Sequence, residues 1–597
     1  MRKKPLFLTL FIVPLLFSCV GIPDGTADDT SGTEDKELKI DYSIFDNKTE
    51  TVNVNKQTFY LVSTGLYVNK KPGVYNNDFA LEFAYNPEHG KLYLNFGGEN
   101  PSKTNECYTE PFKKIDVNRN VPKSNNDIPL TASVDEILQG VDVGRCVSDN
   151  YINNVQTPEE YEYFNKAFVA DVCFVYDEKE TNMSLTYLVD NTFNYYIPII
   201  FLSMPYSKWF GANPLYNNII DEIEERVHVE YFDPISKDYW QRNSKIKLGG
   251  GWSKGYPQRT LNLNFKKDEN GNKNEKVKTP IFKDRKGCGT NKDLTDFIRF
   301  RLHNGGNCFE SWSGFNDAIL QRAMVGTNVG TTAYRPCLVY LNGEYWGLMS
   351  IREHYSDYYI KQNYGVDDSK VTMFELDGDI VFDDGDDAGV TYVNELKTFL
   401  NDDRFNSENE ALVEEAYSEL CEMVDMDSFL DVLIPELYAC NWDFIGNNNN
   451  LKMWRVTQTS NKKYEDGKWR FCMHDADFAF TEDVNFLNKD AYRCSYNNWP
   501  LLNRCMKSRT FRNRLIARAQ ELVESNLDSK NMADIAKSMY DEVDRYKADF
   551  GRRWGQPESY YNDWKDYYDY LVNFFQVRSY FLVDELTTTI NNQYGGL

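Results

Sequence analysis

Residues 436–455 read ELYACNWDFIGNNNNLKMWR, and residues 468–480 read KWRFCMHDADFAF. Between them lies a polar connector holding the turn dipeptide Asp466-Gly467. Lys452–Arg455 and Lys468–Phe471 flank that turn, so the stretch reads as strand, turn, strand. Asp443 stands five residues before Asn448, and the carboxylate pair Asp475 and Asp477 follows the second strand. Carboxylate and amide oxygens suit Mg²⁺, a hard cation that completes its shell with water and substrate phosphate. The same letters also describe a polar hairpin whose Asn run is a loop and whose D-x-D is solvated. The rest of the chain decides between the two.

Upstream, Met426–Cys440 reads as a helix capped by Asp427, with Phe429, Leu430, Leu433, Ile434, Leu437 and Tyr438 on one face. That face is core, and it would hold the loop beginning at Asn441 still. Residues 245–263 read KIKLGGGWSKGYPQRTLNL, a strand, a Gly-rich turn and a second strand bearing Arg259. Glycines let backbone N–H groups approach a phosphate, and a cation on the next strand reaches its oxygens. Gly250, Ser253 and Arg259 are therefore the candidates to hold a phosphate group. The helix Gly314–Val325 places Phe315, Ile319, Leu320 and Ala323 on one side and carries Asp317. Asp317 is the candidate partner of Arg259; the plainer reading is a helix-start carboxylate beside the dipole. Cys337–Leu341 and Glu344–Ile351 then form two strands joined by Asn342-Gly343.

The order of these parts is that of protein-kinase phosphoryl transfer: Gly-rich hairpin, basic residue, acid-bearing helix, two strands, a helix, a loop Asp, an Asn and a metal Asp. In that order Asp443 faces the acceptor hydroxyl, Asn448 and Asp477 ligate metal, and Asp475 is a second ligand or supports the first. Whether Asp475 or Asp477 is the principal ligand stays open.

Several longer motifs carry a family resemblance. Gly249-Gly250-Gly251-Trp252-Ser253 with Pro257-Gln258-Arg259-Thr260-Leu261 resembles the G-G-x-S and P-Q-K-S-L signature of the CotH family of atypical protein kinases, known from spore coats. Arg301-Leu302-His303-Asn304-Gly305-Gly306-Asn307 with Phe315-Asn316-Asp317-Ala318 is similar to its R-x-x-N-x-G-N and F-R-D-A segments. Tyr334-Arg335-Pro336, Asn342-Gly343-Glu344-Tyr345-Trp346-Gly347 and Arg352-Glu353 resemble its Y-R-P, N-G-E-Y-W-G and R-E elements. The likeness runs through about residues 195–590. Three departures stand out: Arg259 replaces the family's Lys, Asn316 replaces its Arg, and Pro435 interrupts the helix before Asp443. The resemblance implies ATP with Mg²⁺ (or Mn²⁺) and a Ser or Thr acceptor on a protein. It also extends to surface proteins that bind hosts, so a scaffold that has lost transfer is the rival reading.

Outside this region the N-terminus reads as an export signal. Arg2, Lys3 and Lys4 precede a short apolar run ending in Leu16-Phe17-Ser18-Cys19, which resembles a lipobox. Residues 1–19 are thus expected to be a lipoprotein signal and residues 20–56 a tether, with Cys19 lipidated and the chain anchored to a bacterial membrane or cell surface. Cys19→Ser is then expected to leave the membrane fraction and lose fatty-acid labelling; a variant that still pellets and labels contradicts the anchor. Residues 57–190 carry short strands with Gly, Pro and Asn turns, an Ig-like β-sandwich pattern. They loosely resemble the module at the C-terminus of chitobiase. Residues from about 498 onward are helical, amphipathic and aromatic-rich.

The expected class is therefore α+β, an atypical kinase-like domain with a helical C-terminal region behind a β-sandwich module. A formal charge of −25 argues against nucleic acid as a partner and leaves room for a basic or Ser-rich protein substrate. Eleven cysteines follow Cys19 without a C-x-x-C pair, which argues against thiolate metal sites. Cys337, Cys440 and Cys472 read as buried small hydrophobes. The His474-Asp475 pair also suits a metal phosphohydrolase, but the other four histidines belong to separate elements, and that chemistry needs several together.

Overall fold

The computed structural model describes residues 40–103, 107–108, 112–117, 139, 167–191, 194–211, 213–221, 223–266, 276–283, 285–308, 312–382, 387–444, 449–480, 499–554 and 559–595. Cys19 and Asn448, and with them the lipid anchor and one expected metal ligand, lie outside the described residues. The chain mixes sheets and helices and is α+β.

The first strands are β1 (Thr51–Val54), β2 (Gln57–Ser63), β3 (Leu66–Val68), β4 (Gly73–Tyr75), β5 (Phe79–Tyr85), β6 (Gly90–Phe96), β7 (Cys107–Tyr108), β8 (Phe112–Val117), β9 (Phe168–Tyr176) and β10 (Lys179–Val189). They form two sheets, ordered β1-β2-β3-β5-β8 and β4-β10-β9-β6-β7. Alternate residues of a strand share a face. Leu81, Phe83 and Tyr85 of one sheet accordingly enter one core with Phe168, Ala170, Val172 and Phe174 of the other.

The next strands are β11 (Ile199–Ser203), β12 (Glu224–Phe232), β13 (Tyr239–Leu248), β14 (Leu261–Asn264), β15 (Val277–Lys278), β16 (Asp296–Phe297), β17 (Arg299–His303), β18 (Tyr334–Leu341) and β19 (Glu344–Arg352). Apart from the β15-β16 pair they close a barrel in the order β11-β12-β13-β14-β17-β19-β18. The β18-β19 turn puts both Asn342 (φ 49°) and Gly343 (φ 83°) in the left-handed region, as a two-residue hairpin demands.

Glu230 on β12 meets β10 in a fully buried contact. It accepts hydrogen bonds from the Thr186 N–H (3.0 Å), the Thr186 hydroxyl and the Tyr239 hydroxyl (2.8 Å). Burial outweighs these bonds and raises its pKa from 4.5 to about 7. The folded chain thus holds a proton that the unfolded chain releases, so the stabilisation is complete below pH 4.5 and is lost as pH rises through 7. The loss is on the order of 3 kcal/mol. Glu230→Gln can keep all three contacts without a charge, so its thermal midpoint should exceed the wild type's at pH 8 and match it near pH 4. Equal midpoints at pH 8 contradict this assignment.

A second sheet of β20 (Val371–Asp377), β21 (Asp379–Phe382), β22 (Asn449–Val456) and β23 (Arg470–Met473) is ordered β21-β20-β22-β23 and antiparallel throughout. The helix Met426–Tyr438 packs on β23, with its six expected core residues buried. Its cap is Asp425 rather than Asp427. The Asp425 carboxylate takes the Ser428 N–H (3.1 Å), while Asp427 already lies in the first turn and bonds Arg514 (2.7 Å). Pro435 sits in the last turn, where the helix is about to stop.

The C-terminal helices are Leu501–Lys507, Arg509–Val523, Ser529–Val543, Lys547–Arg553 and Ser559–Tyr594. The amphipathic run from Leu501 breaks at Ser508, whose hydroxyl caps the second helix through the Phe511 N–H (3.1 Å). Leu515, Val543 and Leu586 join barrel residues such as Ile199 and Leu338 in one continuous core. Trp554, Phe574 and Phe575 are buried in this packing, as are Cys337, Cys440 and Cys472 elsewhere. No described helix is long and apolar enough to cross a membrane.

Candidate active site

A cleft of about 910 Å³ lies between the barrel and the four-stranded sheet. Gly250, Ser253, Asp317, Asp443, Asp475 and Asp477 all border it, although they come from four separate segments of the chain. Each is placed by a local cause.

The Gly-rich turn leaves β13 and runs through a short 3-10 turn, Trp252–Gly255. At Gly250 (φ 88°) a side chain would overlap the Ser253 hydroxyl, so this position requires glycine. The turn is tied to the acidic pair by residues 304–307. Asn304 Nδ2 donates to the Gln258 carbonyl (2.6 Å), and Asn304 Oδ1 accepts from the Thr260 hydroxyl (2.8 Å) and the Gly306 N–H (3.0 Å). The Asn307 N–H then donates to Asp477 Oδ2 (2.9 Å), and the Tyr256 hydroxyl to the Asn307 carbonyl (2.7 Å). Motion of the turn is therefore coupled to the position of Asp477.

Asp317 does not pair with Arg259. Its Oδ2 binds Arg352 Nη2 at 2.6 Å, and its Oδ1 accepts from Gln321 (2.7 Å) and from the Ala476 N–H (3.1 Å), between the two acidic residues. Burial opposes its ionisation, but Arg352 and Gln321 outweigh burial and hold its pKa near 2. Asp317 thus joins a cation to the backbone of the acidic loop.

Arg259 stands apart from the cleft. It precedes β14 rather than lying on it, because the 3-10 turn and Pro257 postpone the strand to Leu261. Its guanidinium is wholly buried on the other side of the turn. There it donates to the carbonyls of Lys254 (2.7 Å), Tyr216 and Gln139 (3.1 Å) and stacks 5.0 Å from the Tyr216 ring. Backbone carbonyls occupy its donors, so the expected phosphate grip does not fit this residue. It pins the Gly-rich turn instead.

Asp475 and Asp477 face one another. Asp475 lies in the left-handed region (φ 53°), as does Asn450, which also borders the cleft. Burial raises both carboxyl pKa values; His474 partly offsets this at Asp475, and the charge of Asp475 adds to it at Asp477. Two desolvated carboxyls in contact favour a cation between them. Among the described residues no three His, Cys, Asp or Glu side chains form a metal-holding group. Two carboxylates suit a Mg²⁺ ion whose remaining ligands are water and substrate phosphate.

Asp443 follows the helix Met426–Tyr438 by a short loop. Asn441 Oδ1 accepts the Asp443 N–H (3.2 Å), and Asn441 Nδ2 is held by the buried Glu436 (2.8 Å). Burial pushes the Glu436 pKa up to about 8. The Asp443 carboxylate accepts from Asn449 Nδ2 (3.1 and 3.2 Å) and Asn450 Nδ2 (3.2 Å). It is oriented by two amides that the sequence reading left without a role.

Further cleft residues were illegible at that level. Lys452 Nζ pairs with Glu375 (2.7 Å), which His474 also approaches (3.6 Å). Burial opposes ionisation of Glu375, but His474 and Lys452 hold its pKa near 2. His303, His354 and His474 all border the cleft despite their separate elements, which corrects the view of them as unrelated. Burial lowers the pKa of His303 to about 3, reinforced by Arg352 and Arg301, and lowers that of His354 as well.

The fold and cleft thus have a kinase-like arrangement of a Gly-rich turn and acidic residues. A protein-family comparison agrees: the family described as CotH kinase protein matches residues 246–582, more than half of the chain. The chain belongs to the CotH kinase family. A search of curated proteins found no match.

Proposed function

We propose that this chain is an atypical kinase that transfers the γ-phosphoryl group of ATP to a Ser or Thr hydroxyl of an extracytoplasmic protein, basic or Ser-rich in character. The observation that carries the reading is the convergence of Gly250, Ser253, Asp317, Asp443, Asp475 and Asp477 on one cleft in a chain of this family. Asp443 accepts the proton of the acceptor hydroxyl as its oxygen attacks the γ-phosphorus, and the bond from that phosphorus to the β,γ-bridging oxygen breaks to release ADP. The amides of Asn449 and Asn450 keep the carboxylate aimed. Backbone N–H groups of the Gly-rich turn and the Ser253 hydroxyl hold phosphate oxygens. Asp475 and Asp477 would hold Mg²⁺ (or Mn²⁺), with Asn448 as a further donor, and the ion would neutralise charge on the β- and γ-phosphates. Most of the catalysis is positioning, which the 304–307 connection and the Asp317–Ala476 bond provide.

The two N-terminal sheets are, in this reading, an Ig-like β-sandwich that spaces the kinase from a lipid anchor at Cys19. The Cys19→Ser test above applies to the anchor.

The test of the site is nucleotide binding. Asp475→Ala with Asp477→Ala should remove the Mg²⁺-dependent part of ATP binding in calorimetry, a loss of more than about tenfold. Circular dichroism should show the fold retained. Unchanged Mg²⁺-dependent binding in the folded double variant contradicts the assignment.

A further inference from the structure

Arg259 leaves the cleft without its expected phosphate cation, yet the barrel wall supplies two others. Arg301 on β17 and Arg352 on β19 are direct register partners in the antiparallel pair, and both border the cleft. Side chains at such positions lie about 5 Å apart, and like charges there repel. Asp317 compensates only one of them, through Arg352 Nη2. The Nε of Arg352 is buried with no partner among the described residues. Arg301 has a neutral partner, the Asn262 side-chain oxygen at 3.3 Å, and no ion pair among the described residues. Asp475 and Glu375 sense its charge without pairing to it. The two adjacent guanidiniums share one directly bonded carboxylate and keep further donors, a cationic pair within an otherwise acidic cleft. It lies in the deep wall of a cleft on a protein of charge −25. Such an arrangement is stable when an anion bridges the pair, and guanidinium forks match phosphate oxygens in pairs.

We propose that Arg301 and Arg352 form the polyphosphate clamp of this cleft and take the place that Arg259 vacates. The ligand class is a linear polyphosphate, either the tail of a nucleoside triphosphate or free tripolyphosphate. This rests on the kinase reading only for the nucleotide. Asp317 holds Arg352 to the acidic loop, so the clamp and the Asp475–Asp477 pair form one rigid unit.

The experiment measures binding of Mg·ATP, tripolyphosphate and adenosine to the full chain and to Arg301→Gln by calorimetry. Arg301 makes no ion pair among the described residues, so its loss breaks no salt bridge, although Asp475 and Glu375 lose its more distant attraction. Charge-assisted hydrogen bonds contribute about 1.5–3 kcal/mol. ATP and tripolyphosphate should therefore bind roughly 10–100-fold more weakly to the variant, with adenosine unchanged. Arg301→Lys keeps a charge without the fork and should lose less; it also serves if the Gln variant fails to fold. Wild-type affinity for ATP in folded Arg301→Gln or Arg301→Lys overturns the clamp and leaves the kinase reading standing. Tripolyphosphate binding without ATP binding supports the clamp and removes the nucleotide. A wild-type chain that binds neither overturns both.

Discussion

Asp443→Asn is expected to lower phosphoryl transfer by about 10²–10⁴-fold while ATP affinity stays near that of the wild type. The substitution keeps the size of the side chain but removes its capacity to take a proton. Asp443 lies on the sheet side of the cleft, held by Asn441, Asn449 and Asn450. The proposed phosphate contacts lie elsewhere, on the Gly-rich turn and the β17–β19 wall. Removing the charge should therefore spare nucleotide binding. The check pairs an initial transfer rate with an ATP dissociation constant on one folded preparation. Parallel loss of both would make Asp443 a metal or structural residue, and full activity would remove it from the mechanism.

Gly306→Ala should have an effect of similar size by another route. Gly306 adopts φ 63°, and a side chain there would overlap the carboxylate of Asp477. That carboxylate has little room to yield, since it is buried, holds the Asn307 N–H and faces Asp475. A displacement of about 1 Å at a reacting centre can reduce rate by roughly 10²-fold. Left-handed backbone alone costs Ala only about 1 kcal/mol. Gly326 separates the two effects: its φ is 90°, and nothing lies within 4 Å of an added side chain. Gly326→Ala should carry at least as much backbone strain with normal transfer. If Gly306→Ala and Gly326→Ala have equal activity, Gly306 does not position Asp477.

Much of the site was legible because its residues lie close together in sequence or in motifs whose spacing has a mechanical meaning. Asp475 and Asp477 are two residues apart, and Asp443 follows an amphipathic helix whose buried face is plain in the letters. The Asn342-Gly343 turn likewise required a hairpin. Arg259 shows where such reading stops. A strand-turn-strand pattern gives the order of elements but not where the second strand begins, and a delay to Leu261 put this side chain on the opposite side of the turn. The true partner of Asp317 could not be read either. Arg352 reaches it only through the barrel, and its opposition to Arg301 depends on a register between strands about fifty residues apart. The three cleft histidines converge for the same tertiary reason. For these residues the missing information was how the barrel and the four-stranded sheet come together, a property of the whole domain.

Phosphoryl transfer by this cleft is the activity proposed for the chain. The most direct measurement incubates the purified full chain with γ-labelled ATP and Mg²⁺ or Mn²⁺ and follows label into the chain itself and into a basic, Ser-rich test protein. Label is expected on Ser or Thr, to require the divalent ion and to be lost in Asp443→Asn. Absence of label with either ion, in protein shown to bind ATP, would contradict that activity and leave a nucleotide-binding scaffold.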